Sequence, residues 1–512
     1  MTTRHRSTRR AELRQERSIV PLLQMPFRQP RSMLRPQEIL TPSQLDQIHR
    51  ASLHILENIG LDFLDDEALS IWAKAGAKVD FANKHVWIDG GLVMETIRQA
   101  PPSFTWRARN PERNLFIGEN ALTFGPPGGM VYVLDGVRGR RPGTYADYQT
   151  LVKLSHLLPV LHFAAWEQVA PQDIPPNIRH LHRLFAALTL SDKAVTESAH
   201  GRIIPSDAIE MCRLVFGDLT GDPVIGDVIN VNSPLRYDDR MLGGLITYAR
   251  AGQVTFITPF ILAGAMSPVT IAAALAQQNA EVLAGIALTQ LVRPGAPVIY
   301  GGFTTNIDLK SGIPAFGTPE GAWALLAGGQ LARFYNLPYR GSGSLTNAKT
   351  PDAQASYETM WNLWPAVLAH TNLLMHSVGW LDGGLTVSLE KFVIDAENLA
   401  MFQHFLEGFT INEDTLALEM IAQVGPGGHH LGTSHTQERY RHAFYASSLA
   451  DRLGYETWDI AGRWDTATRA TALWQELLKQ YEPPPLDPAT NEALCDFITR
   501  RELELAGHNL YE

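Results

Sequence analysis

Cysteine is nearly absent: the 512 residues hold only Cys212 and Cys495, far apart and outside any CxxC spacing. That excludes a disulfide framework and a multi-cysteine zinc site, and it suits a reducing cytoplasm, where the protein is expected. A basic excess is also missing. Lys and Arg number 43 against 53 Asp and Glu, a net charge of −10, so the phosphate-binding surface of a nucleic-acid binder is not expected. The first residues lack the apolar core, about 7–15 residues long, of a secretory signal. No Gly-rich fingerprint follows a first strand, which counts against a doubly wound dinucleotide-binding sheet; Gly301-Gly302-Phe303 lacks the spacing and reads as a strand-end turn. What remains is ordinary for a globular chain, 45% hydrophobic and 19% charged, long enough for one large barrel with additions or for two to three domains.

The most informative stretch runs from Thr255 to Phe303 and reads strand, turn, long helix, turn, strand. Val254 to Leu262 is a β-rich run ended by Gly264. Ser267-Pro268 has the form of an N-cap followed by proline at the first helical position. The helix continues to about Val292 and stops at Arg293-Pro294-Gly295, and the apolar strand Val298-Ile299-Tyr300 follows at once. Strands that are apolar without alternation and are joined by a helix indicate a parallel sheet buried on both faces. Gln277, Gln278, Asn279 and Glu281 interrupt the middle of the helix, where lipid would make them costly, so no membrane span is expected.

From Thr144 onward the pattern recurs. Strand-like runs centre near Phe163, Val195, Val231, Phe256, Ile299, Arg340 and Met375, each about 25 to 45 residues from the next, the size of a βα unit. These seven runs, with an eighth between Leu122 and Val133, predict an α/β fold, a TIM (β/α)8 barrel. Residues 1–37 form an Arg-rich tail, with nine arginines and no lysine. Such tails can be transit peptides; the plainer reading is a tail lying on an acidic partner or a neighbouring subunit, and a homo-oligomer is expected. Residues 38–140 are expected to form an N-terminal α/β cap region, with a helix from Ser43 to Ile59 and strands at Val79 and Val86–Ile88. Residues 141–480 form the barrel with helical additions, and 481–512 a Pro-rich link and C-terminal helix.

A TIM barrel places its site at the C-terminal ends of the strands. Those ends offer Trp166-Glu167, Glu197 with His200, Asn230 with Asn232, Tyr300 with Phe303, Ser342 to Asn347, and Gly379 to Asp382. No lysine stands at a strand end, which argues against Schiff-base chemistry; Lys349 and Lys391 lie further on, in what reads as loop. Aromatic rings near carboxylates suit a methylated ammonium, whose diffuse charge is attracted to ring faces. Trp166, Tyr300, Phe303, Phe316, Tyr357, Trp361 and Trp380 are candidates for such a box, although any single ring serves packing more often than ligand contact. His429, His430 and His435, three histidines within seven residues of a Gly-rich segment, could hold zinc or iron. They lack a carboxylate at ligand spacing, so no resident metal is expected. A metal-dependent hydrolase built on that loop and a non-catalytic binding barrel for a methylated osmolyte are the rival readings.

The segments PFILAGAMSPVTIAAALAQQNAEVLAGIALTQLVRPGAPVIYGG, TNAKTPDAQASYE, SVGWLDGGLTVSLEKFVIDAE, GPGGHHLGTSHT and YEPPPLD resemble the trimethylamine methyltransferase family, and the likeness extends from about residue 36 to 502. The resemblance implies a TIM barrel that moves a methyl group from an amine to the cobalt of a separate corrinoid-binding protein, with no cofactor held by this chain. Founding members carry pyrrolysine, thought to bind and orient the methylamine, in the loop that here reads GSGSLTNAK, with Leu345 at or next to that position. Members without it resemble enzymes acting on quaternary amines such as glycine betaine, which becomes the expected substrate class, with trimethylamine itself as the alternative. On this reading Tyr300, Phe303, Trp361 and Trp380 contact the substrate, and Glu167 or Glu390 balances its charge. Arg340 or His376 reads a carboxylate, and the loop from Ser342 to Gln354, including Leu345, Asn347 and Asp352, lines the mouth where the corrinoid docks.

Overall fold

The computed structural model describes residues 26–164 and 166–510. Six parallel ladder strands form most of the central barrel: β1 (Thr123–Phe124), β2 (Gly226–Val231), β3 (Val254–Ala263), β4 (Val298–Gly301), β5 (Tyr339–Ser342) and β6 (Leu373–Met375). Their order is β2-β3-β4-β5-β6-β1. Two single rungs complete the set of eight. The His162 amide donates to the Phe124 carbonyl beside β1, and Phe163 bridges Ala194 in parallel. A helix follows each: α1 (Tyr145–Leu157) after β1, α2 (Arg179–Leu190) and α3 (Ile203–Phe216) after the two rungs. Then come α4 (Asp239–Arg250), α5 (Ile271–Val292), α6 (Pro319–Phe334), α7 (Ala353–Leu368) and α8 (Leu389–Glu407). The TIM barrel expected from the βα spacing is therefore the fold.

The eighth strand expected between Leu122 and Val133 is β1, whose Thr123 and Phe124 pair with Leu373 and Leu374 of β6. The barrel thus begins before residue 140, the boundary expected for the cap. The first helix of the cap, Pro42–His54, lies along α5, away from the mouth, with the Ser52 hydroxyl donating to the Ala276 carbonyl (2.9 Å) and the Asn279 amide to Ser52 (2.9 Å). The hairpin Phe104–Trp106 and Leu115–Ile117 closes the barrel from the strand N-termini. Its Trp106 is fully buried among Phe163, Phe256, Val254 and Leu373.

α5 begins at Ile271, not at Ser267-Pro268. The Gly264 amide bonds the Ser267 carbonyl (3.1 Å), which commits Ser267 to the turn after β3 and leaves Thr270 at the helix N-terminus. Its polar mid-section is explained by tertiary bonds. Gln278 accepts from Thr304 (2.6 Å), Asn279 accepts from the Tyr300 hydroxyl (2.9 Å), and Glu281 accepts from Ser233 (2.6 Å) and the Leu235 amide (2.8 Å). The helix is long and apolar enough to cross a membrane by length and composition, but 83% of its apolar window is buried in the protein.

After α8 the chain is largely helical. The helix Thr466–Lys479 returns to α8 and Pro488–Glu504 packs on α2 and α3, with Glu502 against His182 (2.6 Å) and Arg501 against Asp207 (2.8 Å). Between α8 and Thr466–Lys479 the short helices within 413–460 bury none of their residues. Of the Arg-rich tail, residues 1–25 lie outside the described residues.

Candidate functional site

The register of the barrel decides which side chains face inward. Phe256 of β3 is level with Ile299 of β4, and both belong to the interior cluster with Leu373 and Met375. Successive side chains alternate across a strand, so Gly301 and Arg340, level with each other and with Leu373, point inward, as does Ser342 beside Met375. β3 outruns the barrel and pairs with the strand Phe303–Ile307, which sets Phe260 level with Phe303 and brings their rings to 5.0 Å. The same parity turns Tyr300 outward. It is fully buried against α5 and α6, its ring 6.4 Å from Tyr335, and it corrects the expectation that Tyr300 contacts substrate.

At the strand C-termini a ring cluster forms around His376, just past β6. Trp380 lies 4.6 Å from the imidazole, Trp166 4.8 Å and Phe303 5.5 Å; Phe316 completes the wall, 5.5 Å from Trp380 and 6.0 Å from Phe303. Below Phe303, 5.2 Å from its centroid, lies the Arg340 guanidinium. Two bulky residues of the cluster hold left-handed backbone, Trp166 at φ +95° and His376 at φ +56°. Such conformations persist where the surroundings over-determine them and concentrate at functional sites. The loop after β1 passes beneath Trp166 only because residue 128 is glycine: a Cβ there would stand 2.3 Å from the indole.

Arg340 is buried and forms no ion pair with a carboxylate among the described residues; Asp227 acts on it only at longer range. It donates to the Gly302 carbonyl (3.5 Å) and Ser342 (3.4 Å), faces His376 Nε2 at 3.2 Å, and its Nε has no partner. Burial pushes its pKa down to about 10, which leaves it cationic at neutral pH. Burial first, and then the guanidinium beside it, hold His376 well below the usual histidine range, so the imidazole is neutral.

The supports of the cluster lie beneath it. Lys391, in the first turn of α8, is buried with Asp395 at 2.6 Å and donates to the Ser344 carbonyl (3.2 Å) and Thr359 (2.9 Å), while Asp395 accepts the Gly379 amide (2.8 Å). One ion pair thereby ties the loop after β5 to the strand that carries Trp380. Burial raises the Asp395 pKa to about 6 against the opposing pull of Lys391. Lys391, read from sequence as loop, is helical. Glu358 of α7 pins the same loop from the other side through the Asn347 amide (2.8 Å) and Gln354 (2.9 Å).

Other expected residues fall elsewhere. Trp361 is 51% exposed and Tyr357 56%, both on the outer face of α7, because tertiary packing turns the inner face of that helix to Leu363 and Val367. Neither belongs to the ring cluster, and the placement of Trp361 at the substrate is corrected. Glu390 does not stand free to balance a cation: it accepts from the Gly136 amide (3.0 Å), Thr471 (2.9 Å) and Trp474 Nε1 (3.0 Å), and so fastens Thr466–Lys479 to α8. Glu167 follows Trp166 in the chain but is paired with Arg183 at 2.7 Å; burial pushes its pKa up, and the guanidinium more than offsets this. In the mouth loop, Leu345 is buried in a crevice with Phe303, Phe316 and Tyr339. Asn347 accepts the Phe316 amide (2.7 Å) and donates to the Pro314 carbonyl (2.8 Å), Asp352 caps α7 through the Ala355 amide (3.1 Å), and Gln354 serves Glu358. This loop is more packed than the open lining expected. Phe260 was not among the sequence candidates; inward parity along β3, carried from Phe256 through Thr258, is the signal that finds it.

The described residues contain no group of three or more His, Cys, Asp or Glu placed to hold a metal ion. His429 and His430 are exposed, and His435 lies in the six-residue helix Ser434–Arg439. The cysteines are equally remote from the mouth: Cys212 is buried on α3 and Cys495 is exposed on the C-terminal helix.

Comparison with known proteins agrees with this architecture. The family described as trimethylamine methyltransferase matches residues 4–506. The glycine betaine methyltransferase of Desulfitobacterium hafniense (strain Y51) is 40% identical over 472 residues, covering 91% of this chain and 98% of that protein. A trimethylamine methyltransferase of Desulfitobacterium hafniense (strain DSM 10664 / DCB-2) is 31% identical over 90% of this chain and 93% of its own length. The crystal structure of the Methanosarcina barkeri monomethylamine methyltransferase shares the fold at a TM-score of 0.51 and 9% identity, covering 88% of this chain and 87% of that one. The chain is a methyltransferase and belongs to the trimethylamine methyltransferase family.

Proposed function

We propose that the protein transfers a methyl group from a quaternary ammonium compound to the Co(I) of a corrinoid carried by a partner protein. The observation that carries this reading is the cluster of Trp166, Phe303, Phe316 and Trp380 around a neutral His376 at the barrel mouth. Ring faces stabilise a methylated cation, and a quaternary nitrogen asks for no hydrogen-bond acceptor. The relative that acts on glycine betaine supports the same substrate class. So does Leu345: at or beside the position where the family resemblance puts pyrrolysine, it is a buried aliphatic side chain that can form no adduct with an amine.

The chemistry fits these residues. A quaternary nitrogen already carries its charge, so when the N–CH3 bond breaks the electron pair stays on nitrogen and a neutral tertiary amine leaves without acid help. The corrinoid supplies the nucleophile that takes the methyl group. The protein's own part is to hold the cation in line and exclude water, with rings that need no reorganisation. Among the described residues no thiol stands at the mouth, since both cysteines lie elsewhere, and carboxylates are poor nucleophiles toward N-methyl.

Incubation with a quaternary amine alone should transfer no methyl group. Adding a reduced corrinoid protein, or free Co(I) cobalamin at higher concentration, should change the corrinoid absorbance in step with release of the tertiary amine. Demethylation equally fast without corrinoid would overturn the acceptor. Binding with no transfer to either acceptor would leave only a methylated-osmolyte-binding barrel.

A further inference from the structure

Beneath the ring cluster two hydrogen-bond donors face each other without an acceptor between them. His376 Nδ1 faces the Gly128 amide at 3.3 Å, an N–H that can only donate. Nδ1 must therefore hold the ring's lone pair, which leaves the proton of the neutral imidazole on Nε2. That N–H points at an Arg340 terminal nitrogen 3.2 Å away, itself only a donor. The opposite tautomer satisfies Arg340 and sets an Nδ1–H against the Gly128 amide, so either way two donors confront each other. The Arg340 Nε and the Trp380 Nε1 are buried with no partner. A buried guanidinium with no carboxylate in contact, an imidazole N–H and unused donors make an unfilled anion site; Asp227 acts on Arg340 only at longer range, and burial holds its carboxyl well above the usual range. Buried charge persists where something pairs it.

We infer that a carboxylate on the substrate fills this site, bridging Arg340 and His376 Nε2 while the ammonium of the same molecule lies against Phe303 and Trp380. The inference rests on the quaternary-amine reading and narrows it to zwitterions, with Arg340 as the residue that selects them. Geometry restricts their length as well. The guanidinium stands 5.2 Å from the Phe303 centroid, and His376 stacks on that same ring at 5.5 Å, so the two charges of the ligand must be close, as when one or two carbons separate them. An anion placed between the two donors removes their conflict, which a simple tetraalkylammonium leaves in place. Amines without a carboxylate therefore bind beside an unpaired buried cation.

Calorimetry on the full-length protein tests this with four ligands: glycine betaine, its methyl ester, tetramethylammonium, and 3,3-dimethylbutyrate, in which carbon replaces the charged nitrogen. Glycine betaine should bind about 100-fold more tightly than the ester or tetramethylammonium, the scale expected for a buried charge pair. Arg340→Gln should remove most of that gap by weakening glycine betaine alone, and Arg340→Lys should restore it only in part, since a point charge cannot replace the fork. Equal affinity of the unaltered protein for glycine betaine and tetramethylammonium overturns the carboxylate site and leaves the quaternary-amine reading intact. If 3,3-dimethylbutyrate binds as well as glycine betaine, the anion site stands and the cation reading fails. The unaltered protein decides between these outcomes, so the proposal remains testable even if the Arg340 variants do not fold.

Discussion

Trp380 and Trp361 were alike as sequence candidates, and the fold separates them. Trp380 is buried, with ring centroids of His376, Phe316 and Phe303 at 4.6, 5.5 and 6.2 Å; Trp361 lies half exposed on the outside of α7. A desolvated cation–π contact is worth about 2 kcal/mol, so Trp380→Ala should weaken a quaternary amine by about 30-fold. Trp361→Ala should change affinity by less than about 2-fold, as expected for a surface position. Truncating a buried Trp also costs about 3–5 kcal/mol of stability. Trp380→Phe therefore accompanies it: it keeps a smaller ring in place and should lose only a few-fold in affinity. Titration calorimetry with tetramethylammonium and glycine betaine, on protein shown to be folded by its thermal transition, reads the result. If Trp361→Ala costs as much affinity as Trp380→Ala, the ring cluster at His376 is not the ammonium site.

The buried carboxyl of Glu281 has its pKa pushed from 4.5 to about 7, first by burial, with the bonds from Leu235, Ser233 and Gln277 opposing. The folded state then holds a proton that the unfolded chain releases between about pH 4.5 and 7. This contribution to stability is full below pH 4.5 and is lost as pH rises through 7, by about 3 kcal/mol at most. Glu281→Gln should abolish that dependence, so its apparent melting temperature should gain on the unaltered protein between pH 5 and pH 8; a gap constant with pH would contradict the assignment. Glu390→Ala leaves the Gly136 amide and Trp474 Nε1 without an acceptor and should cost about 3 kcal/mol, lowering the melting temperature. Its affinity for the amine should not change; a 10-fold loss would return Glu390 to the charge-balancing role expected from sequence.

The repeating βα pattern was legible because its signals are local. An apolar run, a breaker and an amphipathic or buried helix each occupy a few dozen neighbouring residues, and Val254–Ala263, Ile271–Val292 and Val298–Gly301 lie close to where periodicity puts them. Segment-long resemblance likewise reached the family. Short elements were harder: β1 is two residues long, and the two segments at Phe163 and Ala194 meet in one single bridge, too short for any period to register.

The site divides along the same line. Sequence by itself determined that aromatic rings crowd the strand ends and that Phe303, Trp380, Arg340 and His376 lie within or just after strands. It could not tell which face of a strand or helix each presents. One residue of parity sends Tyr300 to α5 while Phe303 faces the mouth, and the packing of α7 leaves Trp361 in water. Nor could it distinguish a free carboxylate from one already paired, since Arg183 lies 16 positions from Glu167, and Trp474 lies 84 from Glu390. Those partners are chosen by tertiary contact, because charge and hydrogen bonding act through space and not along the chain. The same is true of Arg340 and His376, 36 residues apart, whose opposed donors exist only once β5 and β6 lie side by side.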